Sequence, residues 1–294
     1  MARVYHESFD AVGTSNSYLA SKWSALGGAF QSTISGTIQA GSARTGTNGF
    51  RPIVASNMYL AAQTEFYVGF AIRFTFLPTS YFWVDGETTA TEGHVRLVTS
   101  GGKIQAQIAT TPYAVLGTGS RTLIVNNWYY VEIRHLVNQT TGRVVVKVDG
   151  VTEIDFTGDT QGVPANGNIA LIQWLLGTAG TDFDDIYIND TTGSESNGFD
   201  GDQRIYAVFA DGAGNYAQWD PSAGANWQNV DDNPPDDDTT YNDTPVANEK
   251  DSFTFADVAP SPALTSISAV QAMYYARRAD ASAATFRRDR KSVV

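Results

Sequence analysis

WYYVEIRHLVNQTTGRVVVKVDG at residues 128–150, followed after a gap by TDFDDIYIND at 181–190, is the stretch that decides the fold. Trp128 opens a strand in which Tyr130, Glu132 and Arg134 follow on one face, because successive side chains in a strand point to opposite sides. A second strand runs from Arg143 to Val148 and closes on Asp149-Gly150. Both positions of a tight hairpin turn need φ > 0, and these two residues tolerate it. Phe183 to Ile188 reads as a third strand. Strict alternation there puts Phe183, Asp185 and Tyr187 on one face and Asp184, Ile186 and Ile188 on the other.

Strands also fill the chain before Trp128. Glu65 to Phe74 is long and largely apolar, as suits the middle of a buried sheet. His94 to Val98 and Lys103 to Ile108 flank Ser100-Gly101-Gly102, a hairpin with a glycine turn. Arg121 to Val125 leads through Asn126-Asn127 into the Trp128 strand. Val4 to Phe9, Phe50 to Ile53 and Tyr59 to Ala61 supply further strands, and Ser17 to Ser24 is the best helical stretch. After Asp190 the composition turns small and polar through residues 191–198, as in a linker. A second unit then covers 199–294, with strands expected at Arg204 to Ala210, Phe253 to Phe255 and Ile267 to Tyr275. Between them lies a long polar surface loop.

The Trp-led strand, the G-x-V-x-V-x-V-D-G strand and the closing DDIYI strand together resemble the last part of a concanavalin A-like (laminin G-like) jelly roll. The resemblance spans about residues 1–190. It implies an all-β chain, an antiparallel β-sandwich of that family plus a second, smaller β-rich domain, and a scaffold used mainly to bind glycans and sometimes to cut them. The second unit, through QRIYAVFADG, KDSFTFADV and ISAVQAMYYARRADASAATFR, resembles a module of tailed-bacteriophage structural proteins. In that family the module continues for several strands after the ATFR stretch. Here a short second sandwich, one completed by a neighbouring subunit through strand addition, or a processed or partial chain is expected.

Composition bounds the function. The net charge of -12 argues against nucleic acid, which needs clustered Lys and Arg. No stretch approaches the roughly 20 apolar residues that span a bilayer, so no membrane insertion is expected. MARVYHESFD lacks the apolar core of a signal peptide. Zero cysteines remove disulfides and thiolate chemistry. Acids concentrate between Asp200 and Asp257, whereas Arg277, Arg278, Arg287, Arg288, Arg290 and Lys291 make the last segment basic. That asymmetry favours head-to-tail contact between copies.

Catalysis finds little support in the sequence. Endoglucanases of the resembled superfamily carry E-x-D-x-x-E, and retaining hydrolysis needs two carboxylates about 5 to 5.5 Å apart. The near match, Glu153-Ile154-Asp155-Phe156-Thr157-Gly158, has Gly158 where the second Glu belongs, and reads as a plain strand. His6, His94 and His135 stand alone, and no G-x-S-x-G elbow occurs. The resemblance makes calcium the cofactor to consider, with Asp182, Asp184 and Asp185 as ligands, although nothing matches an EF-hand loop. Aromatic faces stack on the C–H faces of sugars. Tyr81 and Trp83, with Asp85 and Glu87 in the loop beyond, are glycan candidates in the first unit, and Tyr216, Trp219 and Trp227 in the second.

The expectation is therefore a non-enzymatic structural protein of a tailed-phage virion, a capsid decoration or short tail component, assembled in the host cytoplasm. It would partner other virion proteins and copies of itself while displaying a jelly roll toward surface glycans. The alternative is a secreted glycan-binding lectin or polysaccharide hydrolase.

Overall fold

The computed structural model describes residues 3–28, 31–87, 93–109, 111–162, 167–174, 180–236, 239–258, 265–273 and 276. In chain order the first strands are β1 (Arg3–Glu7), β2 (Gly36–Gln39), β3 (Gly49–Pro52), β4 (Ser56–Gln63), β5 (Glu65–Phe74) and β6 (Tyr81–Gly86). There follow β7 (Gly93–Ser100), β8 (Lys103–Ile108), β9 (Val115–Thr118), β10 (Trp128–Leu136), β11 (Gly142–Val148) and β12 (Val151–Gly158). β13 (Ile169–Trp174) and β14 (Thr181–Asn189) complete two antiparallel sheets. The larger has the order β12-β11-β10-β5-β14-β3-β2, with β1 also on β14, and the smaller β4-β13-β6-β7-β8-β9. These are the two layers of an antiparallel β-sandwich.

The core lies between the layers. Phe66, Val68, Phe70, Ile72 and Phe74 of β5 all face inward and are fully buried. Phe66 meets Trp83, Phe70 meets Trp174 and Phe74 meets Phe82, with ring centroids 6.4, 5.1 and 5.2 Å apart, so three aromatic pairs join the sheets. Each such side chain contributes about 1.5–3 kcal/mol by leaving water. The one α-helix among the described residues, α1 (Asn16–Ser24), is capped by the Ser15 hydroxyl and buries Leu19 and Trp23. Trp23 Nε1 donates to Tyr5 Oη at 2.7 Å, and Tyr5 donates on to Glu7 at 2.8 Å. The helix is thereby fastened to β1.

Both expected hairpin turns form. Asp149 and Gly150 have φ of 48° and 77°, and Gly101 and Gly102 have 58° and 76°. Strict alternation fails in β14. Asp184 pairs with Ala71, and the next pair is Tyr187 with Gly69, so β14 carries an extra residue. Asp185, at φ 50°, sits in this bulge. The phase slips there, and Phe183, Ile186 and Ile188 join the core while Tyr187 lies on the opposite face with Ala71 and Tyr130.

Three expected strands differ. Residues 121–124 make no ladder, although the hydroxyl of Tyr129 holds Ile124 N at 2.7 Å. Residues 204–209 make no ladder, and the strand begins at Ala210. Residues 267–273 form no strand, and Tyr274 and Tyr275 lie outside the described residues.

Beyond Asp190, residues 191–198 form bends, and Asn189 Nδ2 donates to Gly198 O at 3.0 Å. The following segment lies on the outer face of the larger sheet. Gly201 N donates to Glu132 Oε1 at 2.8 Å, Asp200 N to Tyr187 Oη at 3.1 Å and Ile205 N to Asp185 Oδ1 at 2.9 Å. Arg44 grips Asp202 through both carboxylate oxygens at 2.6 and 2.7 Å, and Phe199 packs edge-on to Tyr67. The strand β15 (Ala210–Ala217) then pairs with β18 (Asp251–Phe255), and β16 (Asp220–Pro221) with β17 (Asn242–Asp243). Asn233 Nδ2 to Asp10 O at 2.7 Å and Tyr18 Oη to Pro235 O at 2.8 Å tie this unit to the N-terminal elements.

Candidate glycan-binding face

The outer face of the smaller sheet carries a row of polar side chains that reaches every one of its strands. On a strand open on one side, alternate residues face water, and K-I-Q-A-Q-I in β8 shows this: Ile104, Ala106 and Ile108 are buried while Gln105 and Gln107 are half-exposed. Register places Arg96 opposite Val84 on one side and Gln107 on the other. Its Nε and Nη2 donate to Gln107 Oε1 at 2.9 and 2.7 Å. Gln107 Nε2 donates to Gln105 Oε1 at 2.5 Å, and Gln105 Nε2 to Thr118 Oγ1 at 2.8 Å. On the other flank Tyr81 Oη donates to Gln173 Oε1 at 3.2 Å, and Gln173 Nε2 donates to Asn57 Oδ1 at 2.7 Å.

Two tyrosines stand beside Arg96. Its guanidinium lies 3.3 Å from the Tyr113 ring centroid and 5.9 Å from that of Tyr81. Tyr113 is exposed, and its hydroxyl is drawn below the usual phenol range by the Thr111 side chain and by Arg96. Burial pushes Tyr81 the other way. Arg96 is the charged member of this hydrogen-bonded row, and Lys103 shares the outward face of β8 with Gln105 and Gln107. Six strands at about 4.8 Å spacing make a platform about 24 Å across. Fixed amide, hydroxyl and guanidinium donors beside aromatic faces suit the hydroxyls and C–H faces of a glycan.

Of the first-unit residues expected from the sequence, Tyr81 belongs to this platform. Trp83 does not: bulges in β6 turn it inward, and it is fully buried against Phe66. Asp85 is buried too, accepting from Val95 N at 3.1 Å and lying 2.6 Å from His135 Nδ1. His135 Nε2 is 3.1 Å from Thr160 O, and His94 lies between the carbonyls of Gln161 and Asn168 at 2.8 and 3.0 Å. Both histidines are interior joints. Glu87 follows the end of β6 and is half-buried.

In the second unit Tyr216 is exposed beneath Lys250 Nζ, 5.3 Å from the ring, while Trp219 and Trp227 are half-buried. Asp251 accepts from Trp219 N at 3.1 Å and from Asn226 Nδ2 at 2.8 Å, so these residues hold a local turn together. Arg277, Arg278, Arg287, Arg288, Arg290 and Lys291 lie outside the described residues.

The expected calcium ligands do not fit a metal. Asp182 is fully buried and held by Arg51 Nε at 2.7 Å, Arg73 Nη2 at 2.6 Å and Ser42 Oγ at 2.7 Å. Asp184 accepts from Arg44 N at 2.7 Å, Thr45 N at 2.9 Å and Asp185 N at 2.8 Å. Burial and the neighbouring Asp185 raise its pKa well above the usual range. Asp185, pushed up to about 6 by burial, accepts from Thr45 Oγ1 at 2.7 Å and from Arg44. All three fasten the 42–45 loop and its neighbours to β14. Among the described residues no three His, Asp or Glu side chains gather as a metal site.

The Glu153–Asp155 stretch is likewise occupied. Partial burial pushes Glu153 up, but donors from Arg121 N at 3.0 Å and from Ser120 N and Oγ at 2.6 and 2.9 Å hold it below the usual range. Asp155 is paired with Arg143 at 2.8 Å, which lowers it. Sequence reasoning missed Arg96, Gln105, Gln107, Gln173, Asn57 and Tyr113. The alternation in β7 and β8 marks Arg96, Gln105 and Gln107 as outward. No local signal joins them to Asn57 and Gln173, which depend on the sheet order.

No family model and no curated protein matches the chain. Solved structures do. Alginate lyase Aly36B is 17% identical over 63% of this chain and 96% of its own, with a TM-score of 0.42. Domain 4 of AbnA, an extracellular GH43 arabinanase from Geobacillus stearothermophilus, in complex with arabinotriose, is 19% identical over 64% of this chain and 92% of its own, with a TM-score of 0.43. The carbohydrate-binding module CBM66 from Bacillus subtilis is 13% identical over 49% and 86%, with a TM-score of 0.35. At such values the likenesses are no basis for assigning an activity, and the β-sandwich rests on the sheet order above.

Proposed function

We propose that the chain is a non-catalytic glycan-binding protein whose β-sandwich reads a saccharide chain on the outer face of the smaller sheet. The observation that carries this is Arg96 between Tyr81 and Tyr113, continued by the half-exposed amides of Gln105, Gln107 and Asn57, with the buried Gln173 linking Tyr81 to Asn57. An arginine already fixed by Gln107 and flanked by rings keeps its remaining donors oriented, which reduces the entropy lost on binding. The non-catalytic part is supported by Glu153 and Asp155, whose carboxylates are taken up by backbone donors and by Arg143. The virion role expected from the second unit gains no support from the matched structures, and glycan binding alone is proposed.

Affinity electrophoresis in gels containing soluble polysaccharides, alginate and arabinan among them, tests the reading. Retardation of the wild type by at least one polysaccharide, abolished in Arg96→Ala, is expected, without release of reducing ends. No retardation by any of a broad set, or retardation unchanged in the variant, contradicts it.

A further inference from the structure

A different part of the molecule points to self-assembly, independently of the glycan reading. Among the described residues β15 and β18 form a ribbon of two strands, and most of their residues are half-buried or exposed. Phe255 is 56% and Tyr216 48% exposed. A two-stranded ribbon is marginal in water, and its open edges present unpaired backbone donors and acceptors. Ten residues past β18, residues 265–273 have no ladder partner among the described residues, yet carry Ile267 at 66% and Val270 at 68% exposure, and Met273 beside them. This segment is held near Gln203, where Ser268 Oγ donates to Gln203 Oε1 at 2.8 Å, and is not in register with the ribbon.

We infer that a second copy of this chain is the occupant: the 265–273 segment of one copy adds as a strand to the β15–β18 ribbon of another. Each copy then brings one apolar segment and one ribbon with free edges, so donor and acceptor are matched in number. The charges agree. Residues 199–258 contain thirteen acids against two bases, whereas 265–294 contain six bases against two acids. The segment that follows the donor strand is thus drawn to the acidic unit of its neighbour while like units repel.

The test is size-exclusion chromatography with light scattering on the full chain. An apparent mass that is a multiple of 31.7 kDa is expected, falling to the monomer in Ile267→Ser/Val270→Ser/Met273→Ser. The near-ultraviolet circular dichroism of Trp23, Trp83 and Trp174, all inside the sandwich, should remain. A second measurement needs no variant: excess synthetic peptide of residues 262–280 should dissociate the wild-type oligomer. A monomeric full chain, an oligomer unchanged in the folded triple variant, or an oligomer indifferent to the peptide would each overturn the inference.

Discussion

Gly69→Ala is the sharpest test of how the larger sheet is built. Gly69 lies in the middle of β5, flanked by Glu132 on β10 and Tyr187 on β14. The missing side chain lets the Tyr187 ring cross the strand and donate its hydroxyl to Glu132 Oε1 at 2.5 Å. A Cβ on Gly69 would stand 2.1 Å from Tyr187 Cε1 and 2.7 Å from Cδ1 and Cζ. The ring is fully buried and must move as a body. Overpacking of this kind costs about 1–3 kcal/mol. Displacing the ring also removes a donor from the buried Glu132 carboxylate, about 1.5–3 kcal/mol for a bond to a charged group. The expected loss is therefore about 3–5 kcal/mol by urea unfolding. Placed in a Tyr187→Ala background, the same change should be neutral or stabilise by about 0.5–1 kcal/mol, since alanine restricts the unfolded chain more than glycine. An equal loss in both backgrounds refutes the Tyr187 clash as the cause.

Three further outcomes follow from buried charge and from the platform. Burial and the neighbouring Lys22 and Arg3 depress His6 to about 4. The unfolded chain therefore binds the additional proton between pH 6.5 and 4, and the wild type should lose about 3 kcal/mol relative to His6→Asn across that window, read by denaturation at each pH. A constant difference would contradict this. Asp182→Asn leaves Arg51 and Arg73 facing a neutral amide in place of the carboxylate they share. A loss of about 3–5 kcal/mol is expected in thermal or urea unfolding, and a change below about 1 kcal/mol would refute the pairing. Tyr113→Ala should weaken polysaccharide binding about tenfold, or 1.4 kcal/mol, with unfolding unchanged because the ring is exposed. Unaltered binding would remove the ring from the site.

The sandwich was legible where local chemistry alone sets the backbone. Asp149-Gly150 and Gly101-Gly102 announce their turns by tolerating positive φ, and the apolar run of β5 announces a central strand. Where tertiary hydrogen bonds compete, the reading fails. The bulge at Asp185 exists because its carboxylate is claimed by Thr45 and Ile205, partners 140 and 20 residues away, and no alternation rule carries that information. Trp83 looked like a rim aromatic because Asp85-Gly86 resembles the start of a loop; strand irregularity sends the indole into the core instead. Residues 191–198 have the composition of a linker, but Phe199 to Ile205 is fixed to the larger sheet by Glu132, Tyr187 and Asp185. The platform residues were hidden for another reason: Asn57, Tyr81, Arg96, Gln107 and Gln173 become neighbours only through the order β4-β13-β6-β7-β8.

The central claim is that the Arg96 face reads glycans, and a glycan array probed with wild type and Arg96→Ala side by side tests it most directly. The account predicts a defined set of bound glycans for the wild type that is lost in the variant while its unfolding midpoint is preserved. An empty array for the wild type, or the same bound set at the same intensity for Arg96→Ala, would contradict it.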